Sequence, residues 1–413
     1  MNTLAIKSGD LISVGNQVLF DRIQSGGPGQ INIQTDKIYE LGNYQSVGTV
    51  LNTPDLSYTL ESFDVSTETE SLLVGSDYLT DVDGHEYDMN TCLPLDVAGQ
   101  FKKGKSDANK YDAPFSVLAP HLVVESLSYK FGFNDNTSLS VSLKGDSLFY
   151  NPGSTYIEMA TGTNTPNQAV VLAHPAFPYN GDTNTGVRYV LEVSLKSGQR
   201  LRYGVDYTET VGAGVAAKAV TVTVLAAVKV TDQIRVAYTS DAVANYPQAS
   251  HAVASALRPA AVRGRDVLVY IGGKTDAFLW TGVQTATVDW KATLEKDEEM
   301  GNHTIVEQDY DVPEVNGSIT IKPKNPADLL KKLQVITGVA TLQEAIGAMQ
   351  RVPLPLYIVI KSPVTGAVLK TLHVPDAKFT LPGFQGRVQQ KLTLDLNYES
   401  DGGVLLVNKG ARP

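Results

Sequence analysis

Apolar and polar residues alternate along most of the chain, in short runs rich in Val, Thr, Leu and Tyr separated by clusters of Gly, Pro, Asn and Asp. A period of two is the mark of a strand with one buried face, so the pattern predicts a mainly β protein. In LSYTLES the alternation turns Leu56, Tyr58 and Leu60 toward a core and leaves Ser57, Thr59 and Glu61 on the other side. SLSVSLK does the same with Leu139, Val141 and Leu143 inward and Ser140 and Ser142 outward. KLTLDLN sets Leu392, Leu394 and Leu396 against Thr393, Asp395 and Asn397. In the first third of the chain the long strands are expected around 31–40, 56–63, 123–131 and 138–144. The outward face they share is small and hydroxylic.

The pattern is written twice. LGNYQSVGTVLNTPDLSYTL from Leu41 and MGNHTIVEQDYDVPEVNGSITI from Met300 share a Gly-Asn pair, a polar run, a proline, an acidic residue and a strand-like alternation. The spacing from Asn43 to Pro54 equals that from Asn302 to Pro313. Further matches keep the same order: LPLDV from Leu93 with LPLYI from Leu354, APHLVVESLSY from Ala119 with VPDAKFTLPGF from Val374, and SLSVSLK from Ser138 with KLTLDLN from Lys391. Collinear anchors of this kind point to an internal duplication. In the second copy NPADLLKKLQVITG has an N-cap asparagine, a first-turn proline, apolar Leu329, Leu330 and Leu333 and a closing glycine, which predicts a short helix around 326–337. TETESLLVG from Thr67 is its weaker counterpart.

Between the copies the composition shifts to Thr, Val, Ala and Gly. YVLEVSL, QRLRYGVDYTET, KAVTVTVL and DQIRVAYT read as consecutive strands divided by turns, which predicts an inserted immunoglobulin-like sandwich. The expected order is a first β domain over 1–150, the insert over 151–244, an Ala-rich linker over 245–265 and a second β domain over 266–413. At 413 residues the chain is long enough for several cores. No apolar run approaches a membrane span and the start lacks a secretory pattern, so a soluble protein of the cytoplasm is expected. A single cysteine, Cys92, rules out an intrachain disulfide framework, and the net charge of −10 argues against general affinity for nucleic acid.

Candidate chemistry is sparse. GQFKKGKS, from Gly99 to Ser106, satisfies the P-loop spacing, but DANKYDAPF after it has no helical periodicity, and the matching place in the second copy, KSPVTG from Lys361, is a hairpin tip. An exposed basic loop is expected there. GAGVAA from Gly212 leads into a strand rather than the helix a dinucleotide site needs. DVDGHEYD from Asp81 lacks the full spacing of a calcium loop, and the six histidines show no ligand spacing. No catalytic residue, metal or cofactor is predicted.

The strand, polar loop and Pro-acidic-strand order of GNYQSVGTVLNTPDLSYTLESFDV, the helix NPADLLKKL, and the late pair LHVPDAKFTLPGF and QQKLTLDLNYES resemble the tail-tube (major tail) proteins of long-tailed bacteriophages. The resemblance covers both copies. It implies a β-sandwich or barrel-forming domain with a short flanking helix in each copy, and rings of six such domains stacked head to tail into the virion tail tube, assembled in the host cytoplasm. A doubled chain then forms a homotrimeric, pseudo-hexameric ring. Implied partners are further copies of the chain, the tail initiator, tape-measure and tail terminator proteins, with DNA passing through the lumen unbound. The outward alternation makes Glu61, Ser126, Ser140, Thr320, Thr393 and Asp395 the lumen-facing candidates. The two polar loops make Asn43, Tyr44, Gln45, Asn302, His303 and Thr304 the inter-ring candidates. The competing reading is a surface or adhesion protein of immunoglobulin-like modules.

Overall fold

The structure is a computed structural model that describes residues 6–13, 17–18, 23–32, 35–38, 48–51, 54–63, 66–76, 81–103, 115–151, 154–178, 188–197, 199–212, 219–240, 262–272, 278–297, 307–322, 331, 334–335, 337–339, 341–380, 384–385 and 393–411. It is mainly β, and its strand pairs are antiparallel throughout the ladders. The alternation predicted from sequence is the one observed. Leu56, Tyr58 and Leu60 are buried while Ser57, Thr59 and Glu61 are not, and Leu139, Val141 and Leu143 alternate with half-buried serines. In Thr393–Ser400 the buried positions are Leu394, Leu396 and Tyr398; Leu392 lies outside the described residues.

Strand pairings recur between the two copies. Ile6–Ser13 pairs with Leu95–Lys103 as Val267–Ile271 pairs with Leu354–Lys361. Ile23–Asn32 pairs with Asp55–Ser62 as Val283–Lys291 pairs with Glu314–Ile321. The hairpin Thr35–Ile38 with Gly48–Leu51 matches Leu294–Asp297 with Glu307–Tyr310. Asp55–Ser62 then pairs with Ser138–Gly145, and Glu314–Ile321 with Thr393–Ser400. Each copy also owns one long strand, Phe115–Gly132 or Val368–Thr380, that pairs with different strands along its length. Its first part joins the Leu95 or Leu354 strand and its last part the Ser138 or Thr393 strand. The first of these pairings carries a register shift at the same place in both copies, between Leu95 and Val97 in one and between Leu354 and Leu356 in the other.

These registers adjust two of the sequence matches. Leu139 faces Ser62 and Leu394 faces Ile321, and Ser62 corresponds to Ile321 through the shared prolines, so Leu139 answers to Leu394 rather than to Leu392. Leu95 likewise answers to Leu354, not to Leu356. Both errors are of two residues, the period of a strand, so the buried and exposed faces were still assigned correctly. The expected strand at 31–40 is replaced by Ile23–Asn32 and Thr35–Ile38. GGPG, which reads as a turn, lies inside the first of these. Pro28 is tolerated because, among the described residues, the strand has a ladder partner on one side only.

Residues of both copies share one core, including Leu60, Leu127, Trp290, Ile319 and Phe379. Trp290 is fully buried and its indole N–H donates to Asn90 Oδ1 at 2.9 Å, so its polar atom is satisfied. Burial of each such side chain contributes about 1.5–3 kcal/mol. The expected weak helix near Thr67 is Glu68–Leu73. From it Glu70 reaches the fully buried Lys370 of the second copy, whose Nζ also donates to Ser66 O at 3.0 Å, while Tyr129 OH donates to Glu70 Oε1 at 2.6 Å. At the predicted 326–337 helix, Lys331, Gln334, Val335 and Thr337 are helical, and the closing glycine, Gly338, has φ +67°. A second helix, Leu342–Arg351, was not predicted; Thr341 and Glu344 form a capping box at its start.

The central segment packs two three-stranded sheets around its own core. One sheet holds Ser154–Thr161, Gln233–Ser240 and Val190–Leu195, the other Gln168–Val171, Val220–Val224 and Tyr207–Val211. Its footing on the first copy is unusual in being charged. Arg200 is buried against Asp146 at 2.5 Å, with Glu192 at 3.5 Å. Arg235 donates to Pro94 O and Lys196 to Gly75 O, both at 3.0 Å. Burial pushes the Glu192 carboxyl up to about 8, against the pull of Arg200. Asp146 is therefore the closer partner of Arg200, and Glu192 is the carboxyl that burial pushes toward its neutral form. Residues 245–261 of the expected linker lie outside the described residues, and Gly264–Asp266 forms a single 3-10 turn.

Candidate functional surface

The polar positions of the strands assemble into one face. Along the ladder Ile23–Asn32, Asp55–Ser62, Ser138–Gly145, Phe115–Gly132, Val283–Lys291, Glu314–Ile321, Thr393–Ser400 and Val368–Thr380, each strand hydrogen-bonds to the next. The first four belong to one copy and the last four to the other. The join between copies is the pairing of Phe115–Gly132 with Val283–Lys291, from Gly132 opposite Thr285 to Ser126 opposite Lys291.

Reading across the registers gives polar rows. Glu61, Ser140, Ser128, Asp289, Asn316, Glu399 and Lys378 stand opposite one another in turn. A second row runs Thr59, Ser142, Ser126, Lys291 and Glu314. A third ends at Thr285, Thr320 and Asp395, where Thr320 Oγ1 donates to Asp395 Oδ1 at 2.8 Å. The candidates Glu61, Ser126, Ser140, Thr320, Thr393 and Asp395 thus all lie on the same face, half-buried and on the side away from the core. Ser140 is directly opposite Glu61, and Thr393 is opposite Gln385. Strand parity alone puts these six on one polar face.

The face also carries Lys130, Lys144, Lys291 and Lys378, which the expectation of a hydroxyl and acidic lining left out. Most of them stand beside carboxylates. Lys144 Nζ is 3.8 Å from Asp55 and 3.9 Å from Glu125; Lys291 is opposite Glu314, and Lys378 is opposite Glu399 and 2.5 Å from Asp401. Neighbouring hydroxyls are tied to one another and to the acids: Ser128 donates to Asp289, Ser142 to Glu125 at 3.1 Å, and Thr287 and Ser318 share a hydrogen bond at 3.2 Å. The signal that could have found the lysines is the alternation of VQTATVDWK, whose Thr285, Thr287, Asp289 and Lys291 have the same parity.

The inter-ring candidates Asn43, Tyr44, Gln45, Asn302, His303 and Thr304 lie outside the described residues. The strands on either side of them are described and pair in equivalent fashion in the two copies. Of the P-loop-spaced stretch, expected as an exposed loop, Gly99 to Lys103 belong to the strand Leu95–Lys103, with Gly99, Gln100 and Phe101 paired on both sides and Lys102 and Lys103 on one, while Gly104 to Ser106 lie outside the described residues. KSPVTG is the hairpin tip predicted, with Ser362 N–H donating to Ala367 O at 2.8 Å and Gly366 at φ +69°. In the acidic loop, burial pushes the Asp81 carboxyl up, but hydrogen bonds from Ser76 and Tyr87 outweigh it and hold it below the usual range. Among the described residues no group of three or more His, Cys, Asp and Glu side chains is placed to hold a metal ion. Cys92 is buried, and burial pushes its thiol up, so it is not a poised nucleophile.

Compared with protein families and with curated proteins, the chain matches none.

Proposed function

We propose that this chain is a structural virion protein that polymerises as stacked rings into a phage-type tail tube, the conduit through which the genome leaves. The observation that carries the reading is the join between the copies. Two equivalent four-stranded sheets are fused edge to edge into one sheet with one polar face, so a single chain already contains the contact a ring must repeat. Three chains supply six sheets, and closure of the ring removes the open edges that would otherwise invite uncontrolled pairing.

The chemistry of the face suits passage rather than binding. A surface holds DNA when uncommitted lysines and arginines displace counterions from phosphates. Here Lys144, Lys291 and Lys378 stand beside Asp55, Glu125, Glu314, Glu399 and Asp401. Hydroxyls fill the space between. The inserted sandwich touches Gly75, Pro94, Leu118, Asp146 and Phe149, none of which belongs to the polar rows, and it is read as decoration of the outer surface.

The test is to image the concentrated protein, alone and with tail-initiator proteins, by electron microscopy. Hollow tubes with a continuous channel are expected. Protein that stays as separate chains under both conditions would overturn the reading.

A further inference from the structure

We infer that the ring is closed by a second copy of this chain in one particular strand register, with Gly27 of one chain opposite Gln385 of the next and Asn32 opposite Thr380. The ring itself rests on the reading above; which edges meet, and in what register, rests on the geometry of the two sheet ends.

Among the described residues Ile23–Asn32 pairs only with Asp55–Ser62, at one end of the ladder. At the other end Thr380 and the short strand Phe384–Gln385 pair only with Thr393–Ser400. Each end has an internal counterpart that is paired. Gly26 stands opposite Leu60 as Ala286 stands opposite Ile319, and Asn32 opposite Asp55 as Lys291 opposite Glu314. Gly27 and Asn32 therefore occupy the places of Thr287 and Lys291. Gln385 stands opposite Thr393 as Lys130 opposite Ser138, and Thr380 opposite Asn397 as Ser126 opposite Ser142. Gln385 and Thr380 therefore occupy the places of Lys130 and Ser126. In the internal join Lys130 faces Thr287 and Ser126 faces Lys291. Carrying that join to the two free ends gives the register stated.

The lengths of the two ends supply an independent check. From Thr287 to Lys291 and from Ser126 to Lys130 the internal strands advance by the same number of residues, so they pair without a shift. Gly27 to Asn32 is one residue longer than its counterpart, the excess falling between Pro28, opposite Tyr58, and Ile31, opposite Leu56. Thr380 to Gln385, counted along the chain, is also one residue longer than its counterpart Ser126 to Lys130. An extra residue on one edge alone would throw its side chains onto the wrong face beyond the bulge. One extra residue on each edge restores the phase. Each free end is mismatched to the internal edges and matched to the other free end, so the ends fit one another between chains. Pro28, with no N–H to donate, also makes Ile23–Asn32 a poor template for casual pairing.

The test uses thiol cross-linking, for which the chain is suited because its one native cysteine, Cys92, is buried. Gly27→Cys and Gln385→Cys proteins are mixed at high concentration, with the initiator, and treated with a short bismaleimide; Asn32→Cys mixed with Thr380→Cys repeats the test at the other end. Cross-linked dimers are expected from each mixture, and a ladder ending at closed trimers from the doubly substituted chain. Assembled tubes that give no cross-link at either pair would overturn the register while leaving the tube reading intact. A cross-link formed within isolated, dilute double-cysteine chains would mean that the sheet closes on itself, and would overturn the inference. If tubes fail to form, a mixed-chain cross-link still supports the edge pairing, and its absence in concentrated protein rejects it.

Discussion

The same position in the two copies has two fates. Asp146 follows Ser138–Gly145 in the first copy, and Asp401 follows Thr393–Ser400 in the second, in equivalent places by the strand registers. Asp146 is covered by the inserted sandwich, where its side chain is 1% exposed and holds Arg200; Asp401 is 59% exposed and holds Lys378. The core shows a second exchange. Tyr58 faces Leu143 in the first copy, and the corresponding pair in the second is Gly317 facing Tyr398, large for small on opposite strands. Tyr398 OH donates to Thr287 O at 2.7 Å, and a Cβ on Gly317 would come within 2.2 Å of that same oxygen. The lesson is that strand pairing and the parity of the faces were kept between the copies, while packing and partners diverged. The proposed ring would have to repeat the backbone join, and backbone pairing is the part the copies share.

Breaking the charged footing carries the largest expected effect. Asp146→Ala leaves Arg200 buried without its closest partner, and loss of one member of a buried pair costs about 3–5 kcal/mol. Because Glu192 can ionise to take its place, the lower end, about 3 kcal/mol, is expected by chemical denaturation, and Glu192→Gln in the same chain should make the loss larger than the sum of the two single changes. The repacked pair comes next. Gly317→Ala forces a methyl against both the Thr287 carbonyl and the Tyr398 ring and should cost about 1–3 kcal/mol, with only partial rescue by Tyr398→Leu, since the backbone oxygen remains in the way.

The third prediction concerns pH. Glu192 titrates at about 8 when folded against an ordinary 4.5, so between those values the native state holds a proton that the unfolded chain has shed. Stability from this group is fully present below the lower value and is lost as pH rises through the upper one, by about 1 kcal/mol per pH unit. His121, held well below its ordinary range by burial and by Arg200, works in the opposite sense, favouring the folded state as pH rises toward 6.5. Comparing unfolding of the wild type and Glu192→Gln across pH 5–8 cancels the histidine. The variant should show a flatter loss with rising pH, and parallel curves would refute the assignment. The smallest effect is expected at Asp401→Ala, within about 0.5 kcal/mol, as for other exposed ion pairs. A loss equal to that at Asp146 would mean that burial by the insert is not what separates the two sites.

Much of this was legible in the chain. The prolines at Pro54 and Pro313 mark the starts of equivalent strands, Asp55–Ser62 and Glu314–Ile321, and the alternation assigned the faces. The two-residue errors in aligning SLSVSLK and LPLDV arose because an alternating strand resembles itself when slid by its own period. The Leu342–Arg351 helix was not predicted, although Thr341 and Glu344 spell a capping box at its start. Ile23–Asn32 was not predicted because glycine and proline normally interrupt a ladder; among the described residues it pairs on one side only, where they are tolerated. The Arg200–Asp146 pair had no sequence signal. Its members are 54 residues apart, and their pairing is a product of how the insert sits on the first copy.

The central claim is that each chain is two places in one ring. Its most direct test is the number of chains per ring in assembled tubes, from cryo-electron microscopy refined without imposed symmetry. The account predicts three chains, with six near-equivalent sheets around the channel and one inserted sandwich per chain on the outside. Six chains per ring, with only one of the two sheets of each chain facing the channel, would contradict it.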